Sequence, residues 1–319
     1  MSTSAEWRRH GATAIALAML CMATAGTATA DTLYKYRGPH GEWIFSDRPP
    51  AGDQIVETRD VSYGSEDPEV TVSHRMVDAA LELTGSNGYY APIELVLGID
   101  SLANAVPPGP DQPLRFVVPA RGTARLFALD PNAEGVQPEI RYRYTWFMGD
   151  PTSVHEPEQP YRVPFAIASA FPVTQAFPQA ETHTTADSRY AVDIAMPVGT
   201  GIYAARGGTV FEVTSTNFEG GTDPEDASSA NIVHILHDDG TYAVYAHLNW
   251  NSIRVQPGDV VSRGEYIADS GNTGFSSGPH LHFAVLHNPG MGVESLPVVF
   301  EGANGSEVTA ETGVELVAY

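Results

Sequence analysis

Short runs of alternating apolar and polar residues dominate the chain downstream of its first thirty positions. Between about Ile55 and Pro160 these runs include IELVLGI, LRFVVPA, ARLFALD and IRYRYTWFMGD, separated by Pro, Gly, Asn and Asp. A period of two with regular turn signals predicts strands, and the spacing is that of a β-sandwich. One stretch departs from it: Met76 to Thr84, MVDAALELT, carries a helical face. Pro157, Pro160 and Pro164 mark a linker, and from Phe165 onward the β-type runs become rich in Gly, Ala and His. GTVFEVTS, ANIVHILH, TYAVYAHL, YIADSGNT and LHFAVLH, bounded by Gly-Gly, Asp-Asp-Gly and Pro-Gly, predict an antiparallel sheet with hairpin connections. Near the start, YKYRGPHGEWIFSDRPP alternates aromatic and polar residues about a Pro-His-Gly turn, the pattern of a further hairpin. The expected architecture is mainly β: a hairpin module over 31–54, a sandwich-like accessory domain over 55–160, and an antiparallel β-sheet domain over 161–319.

The first thirty residues break the pattern. Arg8 and Arg9 precede an apolar run from Ala12 to Ala25, too short to span a bilayer, and Ala28-Thr29-Ala30 is a small-x-small cleavage site. This is an export signal, so the mature chain is expected to begin near Asp31 and to work in the periplasm or outside the cell, with no membrane insertion after cleavage. The single cysteine, Cys21, falls inside the apolar run, behind Leu20 rather than a small residue, so neither a lipid anchor nor a disulfide is expected. Seventeen Lys and Arg against 39 Asp and Glu give a net charge of −22, which argues against nucleic acid or an anionic membrane surface as partner.

Candidate chemistry gathers in the last domain. In SSGPHLHF, residues 276–283, His280 and His282 are two apart on a strand. Their Cα atoms are therefore about 6.5–7 Å apart on one face, with Leu281, Phe283 and Val285 on the other. Zinc accepts neutral imidazole, and a catalytic zinc keeps three protein ligands and an open position. A histidine beside it can take a proton from water. His-x-His alone reads more readily as two surface imidazoles on an exposed strand than as a metal site. The picture changes because His247 ends TYAVYAHL, where alternation puts it with Tyr245, and because His183 and Asp193 bracket HTTADSRYAVD. His234 and His237 are expected on a strand and at its edge, and His40, His74, His155 and His287 at turns or the surface. The acidic run GGTDPEDASS is expected as a solvated loop, and GDVVSRG as a structural turn without a cofactor lysine.

The ordered set Tyr190-Ala-Val-Asp193, Pro197-Val-Gly-Thr200, Ala204-Ala-Arg-Gly-Gly-Thr-Val210, Tyr245-Ala-His-Leu248, Gly258-Asp-x-Val-x-x-Gly264, Ser270-Gly-Asn-Thr-Gly274 and Gly278-Pro-His-Leu-His-Phe283 resembles the zinc endopeptidases of the lysostaphin and LytM type. Those enzymes cut peptide bonds in bacterial peptidoglycan. The resemblance implies that His183, Asp193 and His282 bind Zn²⁺, that His247 and His280 act on the water and the developing oxyanion, and that peptidoglycan stem or cross-link peptides are the substrate. It leaves Asp187, four residues after His183, as a rival ligand. The early segment resembles the small Tyr-Lys-Trp…Ser-Asp-x-Pro-Pro module of exported bacterial proteins. A catalytically inactive, wall-binding regulator of other hydrolases is the alternative, and an endopeptidase for Gly-rich proteins a third reading.

Overall fold

The computed structural model describes residues 31–37, 43–46, 57–61, 68–109 and 113–319. The export signal, Asp31's upstream neighbours and His40 lie outside these residues. Contacts divide the chain into two compact units, Ile15–Glu69 and one that takes in Val70–Tyr319. In the first, strand β1 (Asp31–Arg37) pairs antiparallel with β2 (Trp43–Ser46), Tyr34 opposite Ser46 and Arg37 opposite Trp43, and on its other edge with β3 (Glu57–Val61).

The second unit opens with β4 (Val70–Val77), β5 (Ala80–Asn87), β6 (Ile93–Ala103), β7 (Leu114–Val118), β8 (Thr123–Leu129) and β9 (Glu139–Met148). They form two three-stranded sheets, ordered β4-β5-β8 and β7-β6-β9. The helical face read over Met76–Thr84 is instead the β4–β5 hairpin. Val77 pairs with Ala80 around Asp78, whose φ of 53° lies in the left-handed region that Asp tolerates better than most residues. A nine-residue helix has little to stabilise it, whereas the strand aligns Leu81 and Leu83 inward.

The remaining strands are β10 (Ala170–Gln175), β11 (Val192–Ala195), β12 (Gly201–Tyr203), β13 (Gly208–Thr214), β14 (Gly220–Gly221), β15 (Ile232–Leu236), β16 (Tyr242–Ala246), β17 (Val260–Val261), β18 (Tyr266–Asp269), β19 (Gly274–Phe275), β20 (His280–His287), β21 (Glu294–Leu296), β22 (Phe300–Glu301), β23 (Glu307–Val308) and β24 (Glu315–Val317). Nine of them make one sheet, ordered β17-β13-β15-β16-β20-β11-β10-β24 with β21 also on β20. All its pairings are antiparallel, as the hairpin signals predict.

Alternation along β20 decides what each face of this sheet does. Leu281, Phe283 and Val285 enter one core with Ile194, Val210, Ile235, Ala243, Tyr245 and Phe300. Ala284 and Leu286 enter a second, with Phe211, Tyr242 and Val244. That second core is continuous with Leu83, Ile93, Leu95, Leu97 and Leu129 of the two smaller sheets, which cover this face. Further along the same face of β20 stand His282 and His280.

A buried carboxylate ties the smaller sheets to the large one. Glu94 of β6 accepts from Arg115 Nε, from Asn288 Nδ2 at 3.0 Å and from the Met291 amide at 2.7 Å. Burial raises its pKa, but these donors outweigh burial and hold it below the ordinary 4.5. Its stabilising contribution is therefore present above about pH 4.5 and lost as pH falls through the lower folded value. Glu94→Ala leaves the buried Asn288 amide and the partly exposed Arg115 and Met291 donors without their acceptor and is expected to cost about 1–3 kcal/mol, read as a lower urea midpoint; an unchanged midpoint would refute the linking role. Between pH 5 and 3 the wild type should lose stability that Glu94→Gln does not. A chain beginning at Tyr161 would bare Phe211, Tyr242, Val244, Ala284 and Leu286, so it is expected to aggregate on expression, checked by sedimentation of the lysate.

Candidate metal centre

Two adjacent strands place the centre of the site. β11 and β20 pair with Asp193 opposite His282 and Ala195 opposite His280, and directly opposed residues share a face. His282 Nδ1 lies 2.8 Å from Asp193 Oδ1. His183 comes from the loop before β11 and brings Nε2 to 3.2 Å from Asp193 Oδ2. The carboxylate thus sits between two imidazoles, one oxygen facing each, and the rings of His183 and His282 meet edge to face with centroids 5.1 Å apart.

One ligand atom each from His183, Asp193 and His282 lies within 4.8 Å of the others. Around a tetrahedral zinc at about 2.0–2.1 Å, ligand atoms stand about 3.3 Å from one another. The observed 2.8 and 3.2 Å contacts are of that size, and two imidazole nitrogens with one carboxylate are donors suited to zinc and its neighbours. These residues fit a divalent metal. Asp193 is 4 % exposed. Burial pushes its pKa up, but hydrogen bonds from His183 and His282 and the nearby imidazoles hold it well below the usual carboxylate range. It is a carboxylate at any physiological pH. His183 is also buried, and its Nδ1 has no hydrogen-bond partner among the described residues.

His280 and His247 stand beside this group with their tautomers fixed by backbone carbonyls. His280 Nδ1 is 2.8 Å from Gly278 O and 3.1 Å from Ser276 Oγ; His247 Nδ1 is 2.7 Å from Thr273 O. A carbonyl only accepts, so each Nδ1 carries the hydrogen and each Nε2 a lone pair. His280 Nε2 lies 3.8 Å from Asp193 Oδ1. The His247 ring centroid is 4.5 Å from that of His280 and 5.8 Å from that of His282. Burial first, then the neighbouring His280 and His282, push the His247 imidazole down to about 3, so it is neutral.

Strand alternation alone would have sent His247 to the side of Tyr245, opposite Ala246 and the His282 face. β16 ends at Ala246, however, and His247 has φ +61°. This left-handed residue, in a region where His is enriched, turns the chain and brings the imidazole round to the other histidines. Its carbonyl partner is itself held: Thr273 Oγ1 donates to Leu248 O at 2.9 Å and accepts from the Asn231 amide at 3.0 Å.

Asp187 lies in the turn between His183 and β11 and gives no oxygen to the group. His237 is buried at the far end of β15, its Nδ1 donating to Gly207 O. His234 meets Glu212, His287 meets Glu294, His155 meets Tyr161, and His74 lies edge-on to Tyr142. One contact has no counterpart in the sequence motifs: Gln175 Nε2 donates to Asp193 Oδ2 at 2.8 Å.

Comparison with known proteins finds similarity to peptidases. The chain is 32 % identical over 129 residues to the glycyl-glycine endopeptidase ALE-1 of Staphylococcus capitis, covering 39 % of this chain and 33 % of that protein. It is 35 % identical over 100 residues to lysostaphin of Staphylococcus simulans, covering 31 % and 18 %. To the peptidoglycan DD-endopeptidase ShyA of Vibrio cholerae it is 37 % identical over 94 residues, covering 30 % and 19 %. The chain therefore spans a third or less of the length of these relatives. His183 precedes the matched family segment, whereas Asp193, His247, His280 and His282 fall within it: residues 187–293 match the model of peptidase family M23.

Proposed function

We propose that the chain is a zinc-dependent endopeptidase that hydrolyses peptide bonds in peptidoglycan stem or cross-link peptides, acting in the periplasm or outside the cell. The observation that carries this reading is the convergence, on one sheet face, of a His-Asp-His ligand set with two further imidazoles whose Nε2 lone pairs are left free by backbone carbonyls. Its substrate class comes from the relatives above, which are named for cleaving glycyl-glycine or peptidoglycan DD bonds. Export is supported by the basic start, apolar run and small-residue site of residues 1–30. No described helix is long and apolar enough to cross a membrane.

In this reading His183 Nε2, an Asp193 oxygen and His282 Nδ1 hold the ion. When bound, zinc supplies positive charge that polarises a peptide carbonyl and acidifies a water. His280 takes the water's proton at Nε2, because its other nitrogen is committed to Gly278 O, and later returns it to the departing amine. His247 offers the same kind of lone pair 4.5 Å away, ring to ring. Kept neutral by burial, it adds no charge to oppose the proton on His280, and it donates to a developing oxyanion only after accepting a proton itself. The two smaller sheets carry no such cluster among the described residues, and a covering, non-catalytic role is proposed for them. A wall-binding regulator is the second reading, and it has no use for a buried carboxylate between histidines.

Asp193→Ala and His282→Ala should each abolish zinc binding, measured by metal analysis of the purified protein, together with release of peptide fragments from sacculi. Asp187→Ala should leave both close to wild type. For His280→Ala, zinc should be retained while kcat falls by about 10²–10⁴-fold. Mass spectrometry of fragments released with and without a chelator identifies the bond cut. Zinc at one equivalent with no chelator-sensitive release would instead favour the regulator, and absence of zinc would remove the enzyme reading.

A further inference from the structure

We infer that Gln175 is a positioning residue for the metal centre, fixing the rotation of the Asp193 carboxylate and the place of the His183 loop at once. The inference rests on the metal-site reading above.

A local irregularity creates the contact. β10 pairs with β11 with Val173 opposite Ile194, so an unbroken ladder would set Thr174 opposite Asp193 and Gln175 opposite Val192. A bulge between Val173 and Gln175 sets Gln175 opposite Asp193 instead. One extra residue in a strand re-aims the side chains that follow it. Thr174, the extra residue, donates from Oγ1 to the Asp193 carbonyl at 3.2 Å. Gln175 is thereby placed on the face of Asp193 and His282, at the end of a row that continues to Ala246.

The Gln175 carboxamide is fully committed. Oε1 accepts from the amides of Glu181 at 2.8 Å and Thr182 at 3.0 Å, and Nε2 donates to Thr182 Oγ1 at 2.9 Å as well as to Asp193 Oδ2 at 2.8 Å. Two backbone N–H donors on one side and a carboxylate on the other exclude the flipped amide, which would point N–H at N–H. Thr182 immediately precedes His183. One side chain therefore connects the loop that delivers the first ligand to the carboxylate that is the second, although the two lie ten residues apart. Outer partners of metal ligands set ligand orientation and typically carry 10–100-fold in affinity. Nothing else among the described side chains, apart from the histidines, donates to the Asp193 carboxylate.

Two variants separate Gln175's effect on coordination from its effect on folding. Gln175→Met removes every hydrogen bond. Gln175→Glu keeps an oxygen for the Glu181 and Thr182 amides, so the loop stays anchored, but it replaces the donor to Asp193 with a like charge. Both are measured as full-length protein for zinc affinity by competition with a chromophoric chelator, for the visible absorption of the cobalt(II)-substituted form, and for kcat and KM on sacculi. The expected result is a zinc affinity about 10–100-fold weaker for Gln175→Met, with shifted cobalt bands and a lower kcat at unchanged KM for both variants. Gln175→Glu should keep the wild-type fold by circular dichroism, with a lower melting temperature from the like charge beside Asp193. A wild-type cobalt spectrum and kcat in Gln175→Glu would overturn the inference, even if Gln175→Met unfolds. Should the wild type itself bind neither zinc nor cobalt, the metal-site reading falls and takes this inference with it.

Discussion

The site depends on a carboxylate buried where water cannot solvate it. Asp193 lies in the sheet between β20 and β10, and an isolated charge there would be prohibitively costly. What makes it tolerable is a ring of donors: His282 on one oxygen, and His183 and Gln175 on the other. Each donor comes from a different part of the chain. Compensation of this one charge therefore requires that β20, the loop before β11 and the bulged end of β10 all be in place, and the same demand assembles a divalent-metal ligand set.

The faces of β20 carry the rest. Apolar residues at alternate positions bury one side completely, and on the other side Ala284 and Leu286 lie under the smaller sheets before giving way to His282 and His280. The smaller sheets are therefore part of the packing of the site-bearing strand and share its second core. Glu94 adds a polar link to the loop after β20. The backbone contributes directly as well: carbonyls of Thr273 and Gly278 choose the tautomers of His247 and His280, a choice that side-chain identity leaves open.

Much of this was legible in the sequence because period-two patterning and turn residues report sheet structure locally. The strands of both halves, and the shared face of His280 and His282, follow from alternation. Alternation failed where the backbone left the strand conformation. Alternation puts His247 on the wrong side because its left-handed φ interrupts the period, and it gives no signal for Gln175 because a bulge shifts its register by one. The apparent helix at Met76–Thr84 shows the converse: leucines spaced for a strand can also satisfy a helical template, and only the turn at Asp78 separates the two. The common core of the small and large sheets was not readable either, since it depends on pairing between segments more than a hundred residues apart.

Register on β20 has one more consequence. Asp193 opposite His282 and Ala195 opposite His280 are statements about which rungs of a ladder align. A slip of one residue would carry Leu281 and Phe283 to the Asp193 face and drive both histidines into the apolar core. Such a slip removes His282 from the set and leaves only His183 and Asp193, so the complete three-residue group reports on strand register: a chain that closes its sheet one rung out of step lacks the third member.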